Sequence, residues 1–153
     1  MEIRYFQDSD IPDLVKLVEE FQLEYGCLDP VGGINSVTFL EQLNFIKEFL
    51  RVWVVADKNN IIAALAMVEF LNPFSGLKAL EELFWFSLPI IRSSNNLLIV
   101  CHMEDYAQAE GVQYIAMSSM QGINTDKMHK FYTRRGFRLH QRQYFKTLKG
   151  EKL

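Results

Sequence analysis

Adjacent carboxylates are the first groups in this chain suited to acid–base chemistry. Glu81 and Glu82 stand immediately before an apolar run, Leu83 to Phe86. A carboxyl group held against apolar neighbours has its ionised form disfavoured, so its pKa rises and it can take up a proton near neutral pH. On an extended strand the two side chains point to opposite faces, so at most one of them meets a given site. A solvent-facing or salt-bridged strand end remains open as the plainer reading. The other reactive types are scattered. His102, His129 and His140 have no cysteine or acid at metal-ligand spacing, so no metal site is expected. Cys101 lies beside Val100 and reads as core rather than nucleophile. With Cys27 it makes only two thiols, too few for a disulfide framework and in keeping with a reducing compartment.

Charge is unevenly spread. From Lys127 to Leu153 there are nine Lys/Arg and one acid, whereas the preceding residues carry seven Lys/Arg and eighteen Asp/Glu. A basic end suits a phosphate-bearing partner. Without a recognisable reader motif it is not expected to be a nucleic-acid surface.

The elements that must position these groups follow from periodicity. Glu2 to Phe6 reads as a strand. Asp8, Ser9 and Asp10 offer caps for a helix whose apolar stripe is Ile11, Leu14, Val15, Val18 and Phe21. Gly26 to Asn35 is a loop, and Ser36 is expected to cap a second helix with the stripe Phe39, Leu43, Ile46 and Leu50. Arg51 to Ala56 and Ile61 to Leu71 form a hairpin about the polar turn Asp57 to Asn60. Leu80 to Phe86 is a further strand. Asn95 to Glu110 is a helix with the stripe Ile99, Val100, Met103, Tyr106 and Ala107, closed by Gly111. Val112 to Ser118 is a strand, Asp126 to Arg135 a short helix ended by Gly136, and Phe137 to Lys146 a last strand. Such alternation, with one hairpin, predicts a mixed sheet with helices on both faces.

The 153 residues are 49% hydrophobic with 12 Phe, 6 Tyr and 2 Trp, enough for one domain with a full core and too apolar for intrinsic disorder. The opening residues do not read as a signal peptide, and the longest apolar run, Ile61 to Val68, suits a buried strand rather than a membrane span. A soluble cytoplasmic protein is expected.

Two segments carry a resemblance. Glu81-Glu82-Leu83-Phe84-Trp85-Phe86-Ser87-Leu88-Pro89-Ile90-Ile91-Arg92 resembles the fourth strand of the GNAT superfamily of N-acetyltransferases, with its trailing Pro-x-x-Arg. Lys130-Phe131-Tyr132-Thr133-Arg134-Arg135-Gly136-Phe137 is similar to the family's Phe-Tyr-x-x-x-Gly-Phe signature. With a long amphipathic helix and a strand between them, the likeness extends over nearly the whole chain. The sequence is also similar in texture to small acetyltransferases of bacteriophage genomes. The resemblance implies an acyl-CoA N-acyltransferase fold, α/β of the α+β kind, with a mixed central sheet of six to seven strands and helices on both faces. One domain would span residues 1–153.

It further implies a V-shaped split between the fourth and fifth strands that takes acetyl-CoA. Pantetheine would pair along Phe86, Ser87 and Leu88. The pyrophosphate would sit on Arg92, Ser93, Ser94, Asn95, Asn96 and Leu97 at the start of the next helix, where unpaired N–H groups favour anions. The family's loop reads Arg/Gln-x-x-Gly-x-Gly/Ala, whereas this one has no glycine and is one residue short. Asparagine is the next-best residue for φ > 0, and Ser and Asn side chains can bond phosphate themselves. Asn124 lies near a position where the family has a cofactor-contacting asparagine, although N-capping explains it equally. Tyr132 matches the tyrosine assigned as proton donor to the coenzyme A thiolate, with a core tyrosine as the alternative. Glu81 stands where some members place a general base. No metal is implied.

The implied reaction is acetyl transfer from acetyl-CoA to a primary amine of a small molecule, peptide or protein, by direct attack in a ternary complex. The alternative is a catalytically inactive GNAT-fold binding or structural protein. Acetyl-CoA and an amine acceptor are the expected partners of a monomer or homodimer, without membrane or nucleic acid. Acid-rich helices 1 and 2 (Glu19, Glu20, Glu24, Asp29, Glu41) would flank the acceptor and mildly favour a cationic one.

Overall fold

The computed structural model describes residues 1–25, 35–58, 60–88, 94–118 and 125–140. Strand β1 (Glu2–Tyr5) leads through a short 3-10 turn (Asp8–Asp10) into α1 (Ile11–Tyr25). Then come α2 (Ser36–Phe45), β2 (Leu50–Asp57), β3 (Asn60–Leu71), β4 (Lys78–Ser87), α3 (Ser94–Ala109), β5 (Tyr114–Ala116) and α4 (Thr125–Arg134). The strands form one sheet in sequence order. Its pairs are antiparallel from β1 to β4, and β4–β5 is parallel. A parallel neighbour needs a crossover, which α3 provides.

Among the described residues the sheet has five strands, so the expected six to seven are not reached within them. Other expectations are corrected. The last strand was expected from Phe137, but 137–140 are not strand, and 141–146 lie outside the described residues. Helix α2 is capped by Asn35, not Ser36: the Asn35 Oδ1 accepts from the N–H groups of Val37 and Thr38, both at 3.1 Å. Leu50 begins β2 instead of extending the α2 stripe. On α1, Leu17 is buried while Ile11 is exposed.

The central strands β2 and β3 are buried on both faces, which is why they read as unbroken runs of Val, Ala, Ile and Leu. One face holds Val52, Val54, Ala64, Ala66, Phe84 and Phe86 against Leu14, Leu17 and Val18 of α1, with Phe39 and Leu43 of α2 at its margin. The other holds Trp53, Val55, Leu65, Met67 and Leu80 against Ile99, Val100, Met103 and Ala107 of α3, joined by Phe131 of α4. The predicted α3 stripe is therefore the buried one.

Two polar devices fix the sheet. Arg4 grips Asp10 through two hydrogen bonds of 2.7 and 2.8 Å, and the same carboxylate accepts the Gln7 N–H. At the Arg51 end of β2, the Arg51 Nε donates to the Tyr106 hydroxyl at 2.7 Å, which donates to Glu69 at 2.6 Å. Lys78 pairs with the second Glu69 oxygen at 3.1 Å. This cluster ties β2, β3, β4 and α3 together at one end.

At the other end the sheet opens. β5 meets β4 over three rungs, Ala79–Tyr114, Leu80–Ile115 and Glu81–Ala116, while β4 runs on to Ser87. In the same region β4 is irregular. Ala66 pairs with Phe84 and the next residue, Met67, with Glu82, so Leu83 is an extra residue, a β-bulge.

Asp10 is only 6% exposed. The Arg4 guanidinium, with the Gln7 N–H, outweighs burial and holds its carboxyl below the ordinary value of 3.8. The lowered pKa makes the pair stabilising above that ordinary value, and the contribution disappears as pH falls through the folded-state pKa. Asp10→Ala should lose about 2 kcal/mol at neutral pH, because it leaves a partly buried arginine unpaired. The difference from the unaltered protein in urea unfolding should narrow with acidification below about pH 4.

Candidate active site

The bulge at Leu83 decides which glutamate faces the α3 and α4 side. Below it, Glu81 pairs with Val68, is exposed and faces the α1 and α2 side. Glu82 pairs with Met67, a core residue of the α3 side, and turns to that side. Above it, Phe84 and Phe86 face α1 and Trp85 faces α4. Strict alternation would have put Glu82 with Phe84, and the extra residue reverses this.

Glu82 then reaches across the point where β4 and β5 part. Its Oε2 accepts the Ser118 N–H at 3.0 Å and its Oε1 accepts the Ser118 hydroxyl at 3.1 Å. From α4, the Tyr132 hydroxyl donates to the Ser118 carbonyl at 2.9 Å. One residue just beyond β5 thus joins a carboxylate and a phenol. Burial pushes the Glu82 carboxyl up to about 7, against the two Ser118 hydrogen bonds that favour its ionised form. Burial also raises the Tyr132 phenol, and the negative charge of Glu82 raises it further. A carboxyl group half ionised at neutral pH, beside a phenol that keeps its proton, is a base and an acid in one site.

Tyr132 is held by the way α4 ends. Gly136, at φ +86, allows the chain to reverse. The Gly136 N–H bonds the Thr133 carbonyl at 3.1 Å, and the Phe137 N–H bonds the Tyr132 carbonyl at 3.0 Å. This is a Schellman cap, and its accompanying apolar contact is Phe137 on Tyr132 itself, with ring centroids 5.5 Å apart. The Phe-Tyr-x-x-x-Gly-Phe spacing is therefore the spacing of the cap that grips the tyrosine. Phe131 packs on Trp85 of β4, and Arg135 pairs with Glu104 of α3, one contact being 3.1 Å. That ion pair occupies Arg135, one of the nine Lys/Arg of the basic C-terminal end.

The remaining expected residues divide into three groups. The Leu88 N–H bonds the Ile62 carbonyl at 3.0 Å. In an antiparallel ladder the peptide groups alternate in direction, so Phe86 also turns its own toward β3, while Ser87 turns its own toward the gap. Ser94, Asn95, Asn96 and Leu97 form the first turn of α3. Arg92, Ser93 and Asn124 lie outside the described residues. His102, His129 and His140 are exposed, and no group of three metal-ligating side chains occurs among the described residues. On the opposite face of β4 lies a cavity of about 400 Å³, lined by Phe39, Gln42, Leu43, Ile46, Leu83, Phe84 and Phe86, with no acid in its wall. The acids expected around an acceptor, such as Glu19, Glu20 and Glu41, are exposed at the surface of α1 and α2.

No protein-family model matches the sequence, and no curated protein does. Solved structures match over almost their full length. A GNAT family acetyltransferase of Staphylococcus aureus superposes with a TM-score of 0.68 at 15% identity, covering 96% of this chain and 98% of the other. A ribosomal-protein-alanine N-acetyltransferase of Brucella melitensis gives 0.72 at 11% identity, covering 97% and 100%. An aminoglycoside antibiotic 6'-N-acetyltransferase of Acinetobacter haemolyticus gives 0.69 at 13% identity, covering 99% and 100%. At such identities the likeness establishes the fold, which is that of the GNAT acetyltransferases.

Gly136→Ala places a Cβ at φ +86, and should cost about 1 to 2 kcal/mol in urea unfolding. Glu82 has the opposite sign to Asp10. Its carboxyl is raised from 4.5 to about 7, so ionising it opposes folding, and stability falls as pH rises between those values. Glu82→Gln should therefore stabilise the protein above pH 7, by on the order of 2–3 kcal/mol, and flatten that part of the stability–pH curve.

Proposed function

We propose that the protein is an acetyl-CoA-dependent N-acetyltransferase acting on a primary amine of a small molecule, peptide or protein, by direct attack in a ternary complex. The observation that carries this is the meeting of Glu82 and Tyr132 at Ser118, where β4 and β5 separate. Acetyl transfer to an amine needs a proton removed from nitrogen and a proton delivered to the departing sulfur. Glu82 is the proposed acceptor of the first, in place of the exposed Glu81, and Tyr132 the proposed donor of the second. Acetyl-CoA supplies the thioester. The Ser87 peptide and the first turn of α3, Ser94 to Leu97, would hold it, since N–H groups at a helix start suit a pyrophosphate. Arg92, Ser93 and Asn124 remain proposed contacts from the sequence. The reaction is proposed for a cytoplasmic monomer or homodimer. Among the described residues no helix is long and apolar enough to cross a membrane.

A second reading, a GNAT-fold protein that binds without catalysing, is favoured by one observation, the glycine-free segment from Arg92 to Leu97. Calorimetric titration with acetyl-CoA separates the two: no heat and no thermal stabilisation at high micromolar ligand would remove the enzyme reading.

Given binding, kcat/KM should rise with pH through about 7, as Glu82 loses its proton. Glu82→Gln should abolish that limb and lower the rate about 10²- to 10⁴-fold. Glu81→Gln should leave both nearly unchanged, and the reverse pattern would assign the base to Glu81. Tyr132→Phe should slow thiol release in a coenzyme A assay.

A further inference from the structure

Ser118 is an exposed residue just past β5, and neither proton transfer requires it to react. It nevertheless uses all three of its polar groups on the proposed acid and base. Its N–H and hydroxyl hold different oxygens of Glu82, at 3.0 and 3.1 Å, and its carbonyl receives the Tyr132 hydroxyl at 2.9 Å. Two donors on two oxygens fix the rotation of the carboxyl group about its last torsion, which a single bond would not. Each oxygen keeps a second lone pair able to take a proton.

We propose that Ser118 is a positioning residue that couples Glu82 to Tyr132, holding both against one peptide unit so that the charge on the carboxylate governs the release of the phenol proton. This rests on the acetyl-transfer reading above. While Glu82 is ionised, its negative charge opposes formation of a phenolate next to it. The amine nitrogen attacks the thioester carbonyl carbon and passes an N–H proton to Glu82, which cancels that charge. The C–S bond then breaks with its electron pair going to sulfur, and Tyr132 gives sulfur its proton. The neutral Glu82 returns a proton to the phenolate through solvent. The net change moves one proton from nitrogen to sulfur and restores both side chains.

Among the described residues the surroundings add little competing charge. From β3, Met67 lies opposite Glu82 and carries none. From α4 the titratable neighbour is Tyr132. On α3, Glu104 is committed to Arg135, and Cys101 lies beside that same guanidinium.

Carboxyl and ring carbon NMR titrations of the ligand-free protein test the coupling without relying on turnover. In the unaltered protein the Tyr132 ring carbon should show a step at the Glu82 midpoint, and the step should vanish in Glu82→Gln. Ser118→Ala removes one bond to the ionised carboxylate, so the Glu82 midpoint should move up by about one unit, with the same shift in the acid limb of kcat/KM. Ser118→Thr, which keeps a hydroxyl, should bring both back. A midpoint unmoved by Ser118→Ala, or a Tyr132 signal that ignores Glu82, would overturn the proposal. A shared, Ser118-dependent midpoint in a protein that releases no thiol from acetyl-CoA would support the coupling and remove the acetyl-transfer reading instead.

Discussion

The site depends on one constraint, that β4 and β5 pair for only three rungs and then separate. A parallel pair left open at one end exposes peptide groups that need partners. Side chains bridge the parting strands instead. Glu82 accepts the Ser118 N–H two residues past the last rung. The bulge at Leu83 makes this possible, because it turns Glu82 toward the α3 and α4 side while keeping Phe84 and Phe86 in the core facing α1. Drawing Leu83 into regular alternation would instead put Glu82 on the face of Phe84 and Glu81 on the other.

Opening at one end requires the other to stay closed. The Arg51, Tyr106, Glu69 and Lys78 cluster does this with charge-assisted hydrogen bonds across three strands and a helix. Trp53 and Tyr5 rings pack around Tyr106, which excludes water from part of it. Between the ends, β2 and β3 are buried on both sides and cannot move independently. The Glu82 carboxyl, raised by burial, therefore lies where the sheet parts, and the Glu69 carboxylate, held ionised by its partners, lies where it is closed. Burying Glu82 works against folding, and the tightly packed centre of the sheet offsets that.

Most of the scaffold was legible because it obeys simple periods. The α3 stripe is buried as its spacing predicts, and the two glycines placed after helices, Gly111 and Gly136, do adopt positive φ. The Phe131 to Phe137 segment singled out Tyr132, whose hydroxyl bonds the Ser118 carbonyl just past β5. The carboxylate that meets it was harder to place. Counting by twos from Trp85 brings Glu81 to the side facing α4, and nothing in the residues around Leu83 announces a bulge. Ser118 belongs to no motif, since its importance comes from Glu82 and Tyr132, 36 and 14 residues away. The pairing of Arg135 with Glu104 is likewise a long-range contact that charge counting cannot see. Asn35 rather than Ser36 caps α2 because Asn35 is the one that keeps extended backbone, which two adjacent capping residues do not reveal by type.

The cap at the end of α4 has a consequence for how this chain can vary in length. Three residues lie between Tyr132 and Gly136, and the same tyrosine supplies the carbonyl that closes the cap and the hydroxyl that reaches Ser118. One added or deleted residue between them would turn the ring by about 100° relative to the cap. Either Phe137 would lose its partner ring or the phenol would leave the gap. Substitutions at Thr133 and Arg134, which are exposed, do not disturb this arrangement in the same way. The segment is thus permissive in composition and strict in count, the reverse of an ordinary surface turn.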